Sequence, residues 1–281
     1  MTTEFAKLVA DSLAHECFTL VDVGCSGGID PKWRTFGARL RAIGMDASAS
    51  ECKRLIAAEQ HPHIHYRPAF VRMLPDHPAY TDFAGKPFST RDPFKRSSAY
   101  RTVQLLSEQI KKGTSEEKLL FNEWGQTELA NEAEPISVET ALAELQWDDV
   151  DFIKIDIDSA DLEVLTSIVR SLAPWKVLGL KLEVNFFGGV TLTEGTFHNT
   201  DRLMRTNGFT LVALDPRTYS MSPLPGRYVN TVAAQTHSER VFQAYAIYVL
   251  DLASDEDQRL AHSLSDEKLA KLAAIFSLCD Q

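Results

Sequence analysis

Long apolar runs are missing from this sequence of 281 residues. Nowhere does it approach the roughly 18 consecutive apolar residues that a membrane-spanning helix needs, which argues against a helical span. Basic charge is also scarce: 29 Lys and Arg against 39 Asp and Glu leave a net charge of −10. Affinity for a nucleic-acid backbone comes largely from Lys and Arg displacing counterions, so a general nucleic acid binder is not expected. Cysteine is limited to Cys17, Cys25, Cys52 and Cys279, with no CxxC pair. A chain of this length needs no disulfide staples, so the four are expected to be free thiols in a reducing cytoplasm. Residues 1–17 lack an apolar signal-peptide core, because Glu4, Lys7, Asp11 and Glu16 interrupt them. Internal repeats and low-complexity tracts are absent as well. What remains is an ordinary globular composition, 44% hydrophobic and 24% charged, with enough apolar material for one large core or two small ones.

The apolar residues that are present alternate between strand and helix patterns. Phe5, Leu8, Val9 and Leu13 fall near helical spacing and predict a leading amphipathic helix over 3–16. FTLVDVG (18–24) predicts a buried strand running into a glycine-rich turn, and Pro31 is placed to open a short helix. A second strand is expected to end at Asp46, followed by a helix capped by Ser48 or Ser50 that extends through Glu59. HIHYRPAFV (63–71) predicts a third strand. The rhythm resumes with a Ser137-capped helix (137–145), in which Thr140 stands where a capping-box acid would sit. Strands are expected over 150–158, 176–187, 210–215 and 241–250, with helices over 160–172, 200–209 and 265–278. Strands alternating with helices imply an α/β domain with a mostly parallel sheet covered on both faces.

Residues 72–130 break this rhythm. Prolines stand at 75, 78, 87 and 93, and Gly85 to Lys112 carries seven basic residues against two acids. The segment is expected to be an inserted, basic, lid-like excursion from a single domain spanning 1–281.

Three places carry candidate chemistry. In Val21-Asp22-Val23-Gly24-Cys25-Ser26-Gly27-Gly28 a strand feeds a glycine turn, the usual position of a nucleotide-type ligand in an open α/β sheet. The glycines do not follow GxGxxG, and no P-loop Lys-Ser/Thr follows them. Asp22 would disfavour a nearby pyrophosphate and suit a ligand ammonium. Asp46 ends the next strand, where an acid can accept hydrogen bonds from ribose hydroxyls. An adenosine held without phosphates, beside an amino-acid moiety, describes S-adenosylmethionine (SAM). The third place is Lys154-Ile155-Asp156-Ile157-Asp158, in which Lys154, Asp156 and Asp158 share one strand face. Three ionisable groups on a covered strand must either pair or do chemistry, and Lys154 neutralising a carboxylate is the alternative to a catalytic group.

VDFIKIDIDSADLEVLTSI, preceded by SVETAL and followed by LKLEVN, resembles the FkbM-type family of SAM-dependent methyltransferases. VDVGCSGG fits the family's glycine turn, Asp46 its ribose-binding acid and Glu183 its strand-end acid; DRLMRTNGFTLVALDPRTYSMSPLPG looks like a later segment of it. The resemblance covers residues 18–71 and 134–225. Asp158, Ser159 and Asp161 stand where the family has Glu, Gly and Glu, so the two carboxylates are kept one methylene shorter. The resemblance implies a class I methyltransferase (Rossmann-like) fold: a mostly parallel seven-stranded sheet with helices on both faces. It implies O-methylation of a hydroxyl on a saccharide, glycolipid or natural-product acceptor. The expected cofactor contacts are Asp22, Gly24, Cys25, Ser26 and Gly28, then Asp46, Ala47 and Ser48, with Ala69 after the third strand. Asp156 and Asp158, with Lys154, are the expected catalytic groups, and His198 and His237 are alternative bases. Mg²⁺ on Asp156, Asp158 and Glu183 is an alternative way to acidify the acceptor. Trp33, Trp124, Trp147 and Trp175 are candidates to stack on sugar rings. A metal-dependent glycosyltransferase using Asp156-x-Asp158 and a non-catalytic SAM-binding module are the competing readings.

Overall fold

A computed structural model of the chain describes residues 2–83, 134–157, 160–186, 191–219, 235–236, 240–252 and 264–279. The chain opens with helix α1 (Thr2–Ser12) and strand β1 (Phe18–Val23), then a 3-10 segment (Pro31–Arg39), β2 (Leu40–Asp46), α2 (Ala49–Ala58), β3 (Ile64–Pro68), β4 (Phe70–Val71) and the single turn α3 (Tyr80–Phe83). It continues through β5 (Pro135–Ile136), α4 (Val138–Glu144), β6 (Phe152–Ile155), α5 (Asp161–Ile168), β7 (Gly179–Asn185) and α6 (Phe197–Thr206). The last elements are β8 (Phe209–Tyr219), β9 (Gln235–Thr236), β10 (Arg240–Leu250) and α7 (Asp266–Cys279).

The main sheet has the order β3-β2-β1-β6-β7-β10-β8-β9. Five neighbouring strands from β3 to β7 are parallel, whereas β10 runs antiparallel to both β7 and β8. Seven strands make up the body of the sheet, as expected, and the two-residue β9 adds an eighth at the edge. All six residues of β1 are buried, as a central strand covered on both faces requires. On one face Trp33 and Phe36 of the 3-10 segment stack on Phe18, with ring centroids 5.1 and 4.1 Å apart. Trp33 also meets Phe152 at 4.6 Å, so this tryptophan fills core and is not offered to a sugar. On the other side α5 packs on β6 and β7, and α6 on β7 and β8. No helix among the described residues is long and apolar enough to cross a membrane.

Local caps follow the sequence. The Glu51 amide donates to Ser48 Oγ (3.2 Å), Thr140 N to Ser137 Oγ (3.1 Å) and Lys268 N to Ser265 Oγ (3.1 Å), each satisfying an otherwise orphaned amide of a first turn. Several expected boundaries move. The strand expected over 150–158 ends at Ile155, and that expected over 63–71 divides into β3 and β4. The buried face of α1 is Ala6, Val9 and Ala10, continued by Leu13 beyond its end, while Phe5 and Leu8 are 44% and 67% exposed. Alanines let α1 approach α7 and the 3-10 segment closely, so the small residues and not the large ones face inward.

β4 and β5 form a separate parallel pair, Phe70 opposite Pro135 and Val71 opposite Ile136. The two flanks of the expected insertion are thus paired side by side, and beyond β4 Met73 and Phe83 are still buried in the core. Arg72 N donates to Ile136 O (3.0 Å), and the buried Glu163 of α5 accepts from Met73 N (3.3 Å). The rest of the expected basic insertion lies outside the described residues.

Candidate active site

At the end of β1 the amides of the glycine turn are taken up mostly by β2, α2 and β3. Gly24 N and Cys25 N both donate to Met45 O (2.8 and 3.1 Å), and Gly28 N donates to Cys25 O (2.8 Å). Gly27 N donates to Glu51 Oε1 (2.9 Å) and Ile29 N to the Tyr66 hydroxyl (3.2 Å). Arg54 and the Gly27 amide hold the Glu51 carboxyl down at about 2. Five amides that would otherwise cradle a phosphate are thus already occupied. Gly24 has φ +83°, and a Cβ there would fall 1.8 Å from Asp156 O. Gly27 has φ +86°, but a Cβ there would meet nothing within 4 Å. The turn is therefore closed against β6 at Gly24 and open at Gly27. Cys25 is buried in the closed part, and burial pushes its thiol well above the ordinary range; Ser26 is exposed beside it.

At the end of β2, Asp46 Oδ1 accepts from Ser48 N (2.8 Å). This leaves Oδ2 without a protein partner among the described residues. The carbonyl of the same residue accepts from Ala69 N (2.8 Å) and from the Cys52 thiol (3.7 Å). Ala47, Ser48 and the buried Ala69 are thereby gathered around Asp46, next to the turn that Met45 O anchors.

On one face of the sheet the strand ends carry a connected set of charges. Lys154 Nζ donates to Asp22 Oδ1 (2.9 Å) and to Gly24 O (2.8 Å), and lies 3.6 Å from Asp156 Oδ2. The Tyr245 hydroxyl donates to Asp156 Oδ2 (3.0 Å) and accepts from Arg217, whose Nη1 donates to the buried Glu183 (3.2 Å). Lys181 Nζ and Arg217 Cζ each lie 4.2 Å from the Tyr245 ring centroid. Burial, with the Asp156 charge, holds the Tyr245 hydroxyl protonated far above its ordinary range.

Asp22 is only 3% exposed and its carboxylate is turned to Lys154. The ion pair that Asp22 makes among the described residues is an internal one, as a buried carboxylate requires a fixed counter-charge. Lys154 is correspondingly a counter-ion that ties β6 to the glycine turn. Burial pushes the Asp22 carboxyl up to about 6, more than Lys154 pulls it down. Lys154, facing Asp22 and Asp156 together, is raised above its ordinary value. A carboxyl with a higher pKa in the folded than in the unfolded state makes the folded chain bind the extra proton between about pH 4 and 6. Unfolding free energy then falls as pH rises through that window, by at most roughly 3 kcal/mol. Lys154 loses its stabilising contribution only above its unfolded pKa, outside this window. In urea unfolding at pH 4 and pH 7, Asp22→Asn should lack this component of the decline; identical pH slopes for the two proteins would remove Asp22 as its source.

Of the other expected groups, Asp158 lies outside the described residues, as do His237 and Trp124. His198 is not in a loop but in the first turn of α6, where it is exposed. Trp147 lies under the Arg41 guanidinium at 4.6 Å, and it and Trp175 pack against the core. Asp161 Oδ1 accepts from Ile157 N (3.1 Å) and so closes the turn after β6. Lys181, Arg217 and Tyr245 were not expected. Lys181-x-Glu183 repeats on β7 the polar alternation of Lys154-x-Asp156 on β6, and this was the available signal.

No family model matches the chain, and no curated protein matches it. Among solved structures it is similar to a TehB-like SAM-dependent methyltransferase from Corynebacterium glutamicum, with 10% identity over 88% of each chain and a TM-score of 0.34. It is also similar to a SAM-dependent methyltransferase from Agrobacterium tumefaciens (11% identity, 89% of this chain and 61% of that one, TM-score 0.38). A third is the magnesium protoporphyrin IX methyltransferase from Synechocystis PCC 6803 with bound SAM (7% identity, 89% and 78%, TM-score 0.36). A seven-stranded α/β sheet body in which one strand, β10, is reversed between β7 and β8 is the Rossmann-like fold of the class I methyltransferases.

Proposed function

We propose that the chain is a SAM-dependent methyltransferase that methylates a hydroxyl of a small saccharide, glycolipid or natural-product acceptor. The observation that carries this reading is the pairing of an internally satisfied glycine turn with an acid, Asp46, that keeps one oxygen free at the next strand end. A diphosphate would find few amide donors in that turn, whereas a ribose diol would find its acceptor in Asp46. Gly24, Cys25, Ser26 and Gly28 would hold the amino-acid end of the cofactor, and Ala47, Ser48 and Ala69 would border its adenosine. When bound, the cofactor supplies an electrophilic methyl group on a sulfonium.

What the chain supplies is orientation and a base. Asp156 Oδ2 is held by the Tyr245 hydroxyl, and Oδ1 has no partner among the described residues. Oδ1 would accept the proton of the acceptor hydroxyl as its oxygen is methylated. Asp158 follows two residues later and is kept as the second candidate for that proton. Lys154, 3.6 Å from Asp156, adds a like charge where a divalent cation would have to approach, which favours proton transfer over Mg²⁺ activation and over a metal-bound nucleotide sugar.

Calorimetry tests the cofactor. The wild type should bind SAM and not UDP-glucose, and Asp46→Ala should weaken SAM binding tenfold or more through the lost charge-assisted hydrogen bonds. Unchanged affinity in that variant would overturn the assignment. Methyl transfer to none of a library of hydroxylated sugars would favour the binding module.

A further inference from the structure

Three of the cations on the charged face of the sheet are Lys154, Arg217 and Lys181. Lys154 has Asp22 and Asp156, and Arg217 has Glu183. Lys181 makes no contact ion pair among the described residues; it lies over the Tyr245 ring, 4.2 Å from the centroid, with the charges of Asp30 and Asp156 farther off. Its β6 partner in register is Lys154, a like charge on the neighbouring strand, an arrangement that costs stability in a sheet. Burial, with the charges of Lys32 and Lys154, holds the Lys181 ammonium below its ordinary pKa against the opposing pull of the Asp30 and Asp156 charges. Lys181 is nevertheless only half-buried, so solvent reaches it. The Tyr245 ring, whose hydroxyl donates to a carboxylate, offers an electron-rich face to the ammonium. That contact orients Lys181 without neutralising it.

We propose that Lys181, set on the Tyr245 ring, is the anion-recognising residue of the acceptor subsite, and that the acceptor carries an anionic oxygen group, a carboxylate or a phosphate ester, beside the hydroxyl to be methylated. This rests on the methyltransferase reading above and specifies its substrate class. The geometry suits a charged sugar. Tyr245 touches both Lys181 and Asp156, so the group that binds the anion and the group that takes the proton are fixed by one side chain. An uncharged sugar would leave Lys181 with only the longer-range charges of Asp30 and Asp156 to balance it once solvent is excluded, a cost that discriminates against it.

The test is calorimetry on the full chain saturated with S-adenosylhomocysteine, using glucuronate, glucose 6-phosphate, inorganic phosphate and glucose as probes. At least one anionic sugar should bind ten times more tightly than glucose. Glucuronate alone would assign a carboxylate, and glucose 6-phosphate together with inorganic phosphate would assign a phosphate. Lys181→Met should reduce the preferred probe to the level of glucose without changing S-adenosylhomocysteine affinity, and Lys181→Arg should retain the preference. Equal binding of all probes by the wild type, no binding of any anion, or an undiminished anion preference in Lys181→Met would each overturn the proposal. Failure of the wild type to bind S-adenosylhomocysteine is a separate outcome, and it overturns the methyltransferase reading.

Discussion

Gly24→Ala should abolish measurable SAM binding, weakening it more than a hundredfold, and should lower unfolding stability by roughly 3 kcal/mol or more. Two costs combine. A side chain at φ +83° costs roughly 1–2 kcal/mol, and a methyl group 1.8 Å from Asp156 O forces β1 and β6 apart at a cost of about 1–3 kcal/mol. The separation would also carry Lys154 away from Gly24 O and Asp22. Gly27→Ala separates the two costs, because its Cβ meets nothing within 4 Å and only the backbone penalty applies. That variant should lose about 1–2 kcal/mol and remain folded. Chemical denaturation and calorimetry on both variants give the comparison; normal SAM affinity in Gly24→Ala would show that the cofactor lies elsewhere.

The second large effect is expected at the opposite end of the same strands. Asp151, fully buried just before β6, accepts from Thr19 N (2.7 Å) and Lys268 Nζ (2.6 Å), with Lys271 Nζ 3.3 Å away. Lys268 also meets Asp149, and Lys271 donates to Glu16 (2.7 Å). Both lysines are 1% exposed on α7, so this cluster fastens α7 to the entrance of β1 and β6. Asp151→Ala would leave two buried ammonium groups short of a carboxylate, a loss of about 3–5 kcal/mol and roughly 10 °C in melting temperature for a chain of this size. Because the change is remote from Asp46 and the glycine turn, SAM affinity at low temperature should persist. A melting temperature within two degrees of wild type would mean that the cluster is dispensable.

These two ends of the sheet were not equally legible in the sequence. The glycine turn, Asp46 and the Lys154-x-Asp156 face are short-range patterns at the ends of apolar runs, and such runs mark strands whatever the rest of the chain does. Lys154 was ambiguous because the sequence does not say which strand neighbours β6; once β1 is its neighbour, Asp22 falls opposite it in register. Tyr245 and Arg217 could not be placed for the same reason. They reach Asp156 and Glu183 only because β10 lies between β7 and β8, an order that no local pattern encodes. On α1, periodicity weighted by side-chain size chose Phe5 and Leu8, whereas close helix packing selected Ala6 and Ala10. The helix over 265–278 was legible, but the burial of Lys268 and Lys271 was not, since nothing near them in sequence predicts Asp151 as their partner.

The reversed strand also sets an order in time. During synthesis β1, β2 and β3 can pair as soon as they emerge, and β6 and β7 can join them. β8 has no partner in the body of the sheet until β10 arrives to lie between it and β7. Such long-range pairing is slow compared with local structure. The proposed cofactor-binding residues on β1, β2 and β3 can therefore assemble on a chain that still lacks Tyr245. The proposed acceptor wall would close only when β10 is inserted, so competence to bind the cofactor should precede competence to select an acceptor.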